Sequence, residues 1–125
     1  MDTPFLSLDQ LVNDWIRLWN EPDVDAVRLQ LEMIADRGIV CFSPTVETHG
    51  FDQWLSALQV YRKMVPQQAV LRRTSAIDSH HSFHRYAWDV TIGDKQLFVG
   101  LTVAEVNTEG RLVRVIGFNG RLPDL

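Results

Sequence analysis

Four histidines carry the side chains best suited to acid–base or metal chemistry near neutral pH. Three of them, His80, His81 and His84, lie close together, but residues 80 and 81 would point to opposite faces of a strand. Neither Cys nor Glu stands beside them to complete a tetrahedral ligand set, so we predict no metal site and interpret residues 79–82 as a polar bend. His49 precedes a predicted helix, where it is either a general base or a solvated side chain.

The single cysteine, Cys41, lies in a short apolar run with no histidine positioned nearby to activate its thiol. We therefore interpret it as a buried core thiol. Because one cysteine cannot form an intrachain disulfide, we also expect a reducing location, the cytoplasm. Three tryptophans, Trp15, Trp19 and Trp54, are either core residues or the flat apolar walls of a ligand cavity.

Length and composition indicate one globular domain over residues 1–125. Hydrophobic residues make up 46% and charged residues 22%, which is ordinary for a folded protein and argues against a disordered chain. The net charge of −4, without a basic stripe interleaved with aromatics, argues against a nucleic-acid partner. No apolar run approaches about 18 residues, the length that spans a bilayer, so we predict no membrane partner.

Hydrophobic spacing and capping residues predict three helices in the first half of the chain. Ser7 and Gln10 have the form of a capping box, Asp23 can cap the next helix, and prolines follow the first and third helices. The predicted helices cover about residues 8–20, 23–35 and 51–65, with a short strand at 39–42.

Four strand-like runs follow, at about residues 69–77, 81–92, 96–106 and 111–118. Tight turns join the last three runs, which predicts an antiparallel meander, because parallel strands would need crossover helices. Helices first and strands later predict an α+β fold.

Both faces of the last two strands are largely apolar, so each face must be covered. Alternation places Gly100, Thr102 and Ala104 on one face of their strand, and Val115 and Gly117 together on one face of the next. We expect helices on one side of the sheet and a second subunit on the other. The small residues either leave room for a ligand or let a helix approach closely.

Several motifs, in order along nearly the whole chain, resemble the SnoaL-like proteins of the nuclear transport factor 2-like superfamily. They are the Trp19–Asp25 link between helices, Gly50, the Arg-x-x-Trp of Arg85 to Trp88, and Gly110-Arg111-Leu112 leading to Gly117-Phe118. The resemblance implies a cone of three N-terminal helices packed on a curved, mostly antiparallel sheet, usually dimeric. Relatives include isomerases, cyclases, epoxide hydrolases and transport factors, so the fold does not fix the function.

The resemblance does not supply a complete catalytic set. By similarity, the isomerase positions are Trp15, Phe42 and Thr102, none of which has the acid or base that the isomerases use. The epoxide hydrolase positions are Phe83, Arg85 and Gly117, where only the arginine is polar. The acid of the cyclases, near Thr102, is absent too.

Arg85 is the sharpest candidate that remains. The family register turns it inward with Asp89, where its guanidinium could bind a carboxylate or an enolate. Alternatively, Arg85 pairs with an internal carboxylate such as Asp89 or Glu47, or lies on the dimer face. A one-residue offset would instead turn His84, Tyr86 and Trp88 inward.

The leading hypothesis is a cytoplasmic homodimer, formed through the sheet face, that binds a small apolar or aromatic ligand and needs no cofactor. The residues that would line its cavity are Trp15, Trp19, Phe42, Trp54, Arg85, Thr102, Val115 and Asn119. A second hypothesis is an isomerase, cyclase, lyase or hydrolase of cyclic substrates, with Arg85 as electrophile and Asp89 or His49 as base. A third is a protein-interaction module that docks through the sheet face.

Overall fold

Three helices form within residues 7–125, the part of the chain that the computed structural model describes. They are α1 (Leu8–Asn20), α2 (Val24–Ile34) and α3 (Gly50–Met64). The Ser7 hydroxyl accepts from the Gln10 amide at 3.1 Å, and the Asp23 carboxylate accepts from the Asp25 amide at 3.0 Å. Each cap satisfies an otherwise unpaired first-turn amide, which is why α1 and α2 begin at the predicted positions.

Seven strands of the described residues form one curved, mixed sheet. They are β1 (Ala35–Phe42), β2 (Glu47–His49), β3 (Val70–Arg73), β4 (Asp78–His80), β5 (Phe83–Ile92), β6 (Lys95–Val106) and β7 (Leu112–Asn119). The strand order is β2-β1-β7-β6-β5-β3, with β4 also pairing β5. Only β1 and β7 run parallel among these pairs. This confirms the predicted α+β class and the antiparallel meander.

Strand boundaries differ from the predictions in the middle of the chain. The predicted strand at 69–77 is shorter, because β3 ends at Arg73 and β4 begins only at Asp78. β1 starts directly after α2, at Ala35, which pairs with Leu112 of β7. β2 was not predicted from the sequence.

The inner face of the sheet is the one that packs against the helices. On it, Tyr86 lies opposite Thr102 and is only 3% exposed, because Val12 and Ile16 of α1 cover its ring. Ala104 lies opposite Val115 on the same face, and both belong to the main core with residues of all three helices. The inner face therefore carries the even-numbered residues of β5 from His84 to Val90.

The outer face is apolar and lies outside both core clusters of the described residues. Phe118 is 56% exposed and Phe83 41% exposed on this face. The other apolar members are half-buried, and they are Phe42, Ala87, Val99, Leu101, Val103 and Ile116. We call these eight residues the outer face.

A β-bulge changes the face of one residue in β7. Strict alternation places Leu112 on the outer side with Arg114, yet Leu112 is 1% exposed and lies in the core. The reason is that Glu105 pairs with Arg114 while Val106 pairs with Leu112, so one residue of β7 is skipped.

Polar side chains tie the helix ends to the sheet and to each other. Arg62 of α3 donates to the carbonyl oxygens of Leu18, at 2.9 Å, and Glu21, at the end of α1. Asn20 bonds β3 twice: its amide nitrogen donates to the Leu71 carbonyl at 2.7 Å and its oxygen accepts from the Leu71 amide at 2.9 Å. These bonds satisfy groups that a helix end or a sheet edge leaves unpaired.

Among the residues described, no helix is long and apolar enough to cross a membrane.

Candidate ligand site

Four aromatic rings pack together between the helices and the inner face. We call Trp15, Trp19, Trp54 and Tyr61 the aromatic cluster. Ring centroids lie 4.8 Å apart for Trp15 and Trp54, 5.7 Å for Trp19 and Trp54, and 5.0 Å for Trp19 and Tyr61. Trp15 and Trp54 are 4% and 3% exposed, whereas Trp19 and Tyr61 are only half-buried. The cluster thus has a sealed side and a side that reaches the surface.

The sheet residues that pack in the same core as the cluster range from small ones to the large aliphatic Ile39 and Leu112. They include Cys41, Ala104 and Val115. Burial raises the pKa of the Cys41 thiol to about 12, and the neighbouring Thr48 side chain offsets this in part. A thiol with so high a pKa is not a nucleophile near neutral pH, so the predicted core role of Cys41 is confirmed.

Tyr86 of β5 and Thr102 of β6 form a polar pair on the inner face. Ala104 is the next inner-face residue along β6. Burial raises the pKa of the Tyr86 phenol, and its hydrogen bond to Thr102 lowers that pKa in part. Tyr86 was expected inward only in the one-residue alternative. The signal that favours it is the run His84, Tyr86, Trp88, Val90, which is more apolar than the intervening Arg85 and Asp89.

Trp88 lies on the inner face directly opposite Gly100. A β-carbon built on Gly100 would fall within 3.0 Å of three atoms of the Trp88 six-membered ring, Cζ2, Cε2 and Cη2. The indole therefore lies flat on the glycine, and the space that Gly100 leaves is already filled. Asn119, the next partner of Gly100, is exposed at the end of the inner face.

The three candidate catalytic residues all lie on the side of the sheet away from the aromatic cluster. Arg85 lies opposite Val103 and Asp89 opposite Val99. His49 lies opposite Val40, which in turn lies opposite Arg114 on the outer side of β7. The expectation that Arg85 and Asp89 face inward is therefore wrong, and the one-residue alternative describes β5. The reason is that burying Tyr86, Trp88 and Val90 removes more apolar surface from water than burying Phe83 and Arg85 would.

Each of these three residues already has a partner. The Arg85 Nε donates to Asp78 at 2.8 Å, and the Arg85 side chain is 63% exposed. His49 Nε2 lies 2.6 Å from a Glu47 carboxylate oxygen. Asp89 accepts from Arg72 Nε at 2.8 Å and from Gln96 at 3.0 Å.

The pKa of the Asp89 carboxyl is held below its usual value, chiefly by the hydrogen bond from Arg72. An ionised, ion-paired carboxylate on this face is not placed to take a proton from a ligand at the aromatic cluster. The other buried carboxylate among the described residues, Asp14, is paired with Arg17 at 3.2 Å on α1.

Phe42 also differs from its expected place. It lies opposite Ile116 and so belongs to the outer face, whereas its neighbour Cys41 lies opposite Val115 and points inward. Alternation along β1 makes these two orientations exclusive. Of the eight predicted cavity residues, the structure brings Trp15, Trp19, Trp54 and Val115 into or against the main core. Thr102 and Asn119 share the inner face with them, and Phe42 and Arg85 do not.

Two surface hollows occur away from the aromatic cluster. One, of about 430 Å³, lies beside β4 and β5, and the other, of about 360 Å³, lies between β2 and α3. The lining residues of the first are Asp78, His80, Phe83, His84, Arg85 and Val103. No side chain of the aromatic cluster lines either hollow. Within residues 7–125, no three or more His, Cys, Asp or Glu side chains group as metal ligands.

Solved structures provide the comparison with known proteins, since no protein-family profile and no curated protein matches the sequence. A SnoaL-like family protein of Agrobacterium tumefaciens, provisionally described as an isomerase, superposes with a TM-score of 0.82 at 22% identity. The match covers 90% of this chain and 96% of that protein.

Two further structures agree. A SnoaL-like protein of unknown function from Burkholderia thailandensis gives a TM-score of 0.70 at 20% identity, over 94% of this chain and 100% of the other. A Sinorhizobium meliloti protein provisionally described as a polyketide cyclase gives a TM-score of 0.68 at 14% identity, over 90% of this chain and 99% of the other. The chain therefore has the cone-shaped fold of the SnoaL-like and nuclear transport factor 2-like proteins.

Proposed function

We propose that this chain binds a small apolar or aromatic ligand at the aromatic cluster and has no inherited catalytic set. The observation that carries the proposal is the cluster itself, four rings of which two, Trp19 and Tyr61, remain half-buried. Indole and phenol rings combine a large apolar surface with one polar group, and half-buried rings beside a sealed core offer flat walls to a planar ligand.

The ligand would enter past Trp19 and Tyr61, because Trp15 and Trp54 are sealed behind them. The rings now contact one another, so binding requires that Trp19 or Tyr61 shift to admit the ligand between them. Thr102 and Asn119 are the polar groups that the inner face offers for orientation. A neutral ligand suits this surface, since an unpaired charge placed there would lose its hydration.

The proposal does not assign a reaction. Arg85, Asp89 and His49 would need to reach through the sheet to touch a ligand at the cluster, and each is engaged with another side chain. An enzyme acting at the cluster would need an acid or base on the inner face. Besides the Tyr86 phenol and the Thr102 hydroxyl, that face carries the His84 imidazole, whose Nδ1 already lies 2.7 Å from the Ser79 hydroxyl.

Native mass spectrometry of freshly purified protein tests the proposal by detecting a co-purified small molecule. Where none is retained, titration with 2-naphthol, a planar neutral probe, replaces it. Trp19→Ala should weaken retention about tenfold, because a lost ring wall is worth about 1.5 kcal/mol or more of apolar contact.

Phe118→Ala and Arg85→Ala are the matched controls, since both residues lie on the outer side of the sheet. Both variants should retain the ligand as the parent does. Retention that survives Trp19→Ala but is lost in Arg85→Ala would overturn the proposal.

A second candidate function concerns the outer face, which we propose to be the surface of a homodimer. Its support is the exposure of Phe118 and Phe83 beside half-buried Leu101 and Ile116, an apolar surface that water disfavours. The single cysteine supports a cytoplasmic location for this assembly.

Sedimentation equilibrium tests the dimer. Phe118→Glu should shift the protein to the monomer, whereas Val60→Glu, at a similarly exposed position on α3, should leave the dimer intact. A parent protein that sediments as a monomer would refute the dimer and favour a docking surface for another protein.

A further inference from the structure

The turn between β4 and β5 holds a histidine in a backbone conformation that glycine usually occupies. His80 pairs with Phe83, so His81 and Ser82 form a two-residue hairpin turn. His81 has φ = 54°, and it is the one non-glycine residue with positive φ within the described range 7–125. The first position of such turns favours glycine, because a β-carbon is strained at positive φ.

This conformation brings two imidazoles together that strand alternation would separate. The Nδ1 atoms of His80 and His81 lie 3.0 Å apart, with the rings perpendicular and their centroids 5.3 Å apart. At this distance the two nitrogens form a hydrogen bond, in which the protonated Nδ1 of one ring is the donor and the unprotonated Nδ1 of the other is the acceptor. Both residues are exposed.

We propose that His80 and His81 form a two-nitrogen site for a divalent first-row transition metal, with Cu²⁺ preferred. Imidazole nitrogen is a ligand for copper, nickel and zinc, and the affinity order of such ions peaks at copper. The inference rests on the turn and does not depend on the ligand proposed for the aromatic cluster.

The separation of the two nitrogens fits a tetragonal ion. Two nitrogens 3.0 Å apart, each about 2.05 Å from a metal, subtend about 94°. This is close to the right angle between neighbouring ligands of square-planar or tetragonal Cu²⁺ and Ni²⁺.

The proton balance of binding is simple. The metal binds the lone pairs of both Nδ1 atoms. The ring that carries its proton on Nδ1 must therefore change tautomer, so that this proton moves to Nε2 of the same ring. Each neutral ring then carries one proton, on Nε2, and no proton is released. Because both rings are exposed, they can turn about their χ2 angles until both lone pairs meet at one point.

Neighbouring groups leave the remaining coordination positions to water. Asp78, two residues before His80 on the same face, is bonded to Arg85. His84 Nδ1 lies 2.7 Å from the Ser79 hydroxyl and is engaged there. The hollow beside β4 is lined in part by His80 and has room for such waters.

The test is a titration of tag-free full-length protein with CuCl2, followed by NMR of the four histidine rings and by calorimetry. Paramagnetic broadening should reach the His80 and His81 signals first, and those of His84 and His49 later. His80→Ala and His81→Ala should each abolish the calorimetric signal, while the matched control His84→Ala should retain it.

Broadening that starts at His49, whose partner Glu47 offers another nitrogen–oxygen pair, would overturn the proposal. So would equal binding by the parent and His80→Ala, which would mean adventitious surface binding. A second variant, His81→Gly, separates metal binding from folding. Glycine accepts the positive φ, so its melting temperature should rise while copper binding disappears. Copper binding that persists in this variant would refute the site.

Discussion

Replacing Gly100 with alanine should displace Trp88 from the inner face. The new β-carbon would overlap the ring of Trp88, the residue of β5 that pairs with Gly100. Inserting a methyl group into a packed site costs about 1–3 kcal/mol. Alanine also restricts the unfolded chain, which returns about 0.4–1 kcal/mol. We therefore expect a net loss of about 1–2 kcal/mol, and a melting temperature lower by about 3–10 °C.

A double-mutant cycle isolates the contact between the two residues. With Trp88→Ala already made, Gly100→Ala should cost nothing or stabilise by about 0.4–1 kcal/mol, because no ring remains to be displaced. Unfolding in urea, followed by circular dichroism, gives the four free energies. Gly117→Ala is the matched control, since its β-carbon would meet its nearest atom, the Phe42 carbonyl oxygen, at an ordinary 3.8 Å. The reasoning is refuted if Gly100→Ala costs as much without Trp88 as with it.

Three more predictions concern single side chains. Asn20→Ala should lower the free energy of unfolding by about 1–3 kcal/mol, because the Leu71 amide and carbonyl lose their partner. The control Asn13→Ala, on the exposed side of α1, should change the free energy of unfolding in urea little. If both variants lost the same free energy, the two hydrogen bonds from Asn20 to Leu71 would not explain the effect. The ion pair of Asp89 lowers the pKa of that carboxyl, so its stabilisation is complete above the unfolded pKa of about 3.9. That stabilisation is lost as pH falls through the lower folded pKa, so the stability deficit of Asp89→Asn should be larger at pH 7 than at pH 2, and an equal deficit would count against it. Cys41 should react with iodoacetamide at pH 8 only in denaturant, as its raised pKa and burial require, and rapid labelling of the native protein would contradict this.

The helices were predictable because their signals are local. Ser7 and Asp23 cap α1 and α2 with side-chain bonds that span three residues or fewer. The start of β1 at Ala35 was not predictable in this way, because its partner, Leu112, lies far along the chain. Local sequence carries no record of such pairing, so strand limits were less accurate than helix limits.

The orientation of β5 needed a comparison of its two faces. Each face contains both aromatic and polar residues, so alternation alone does not decide which face is buried. Tyr86, Trp88 and Val90 together outweigh Phe83 and Ala87 in apolar area, and this signal was available in the sequence. The register carried over from the family resemblance gave the opposite answer, and with it the wrong position for Arg85.

The meeting of His80 and His81 could not be read from the sequence. Glycine or asparagine would have marked a positive φ, and the turn contains neither. The pairing of His80 with Phe83 leaves a two-residue loop, and the turns favoured in such loops have positive φ at the first loop residue, here His81. Structure was therefore needed to show that adjacent histidines lie side by side.

The double bond from Asn20 to Leu71 bears on how this protein stays in solution. β3 is the last strand of the sheet, and an open strand there would invite a strand from another molecule. The Asn20 side chain donates one hydrogen bond to the Leu71 carbonyl and accepts one from the Leu71 amide, as the backbone of a neighbouring strand would. A strand from another molecule would have to displace the Asn20 side chain before it could pair with β3 at Leu71, which makes the addition of strands at this edge unfavourable.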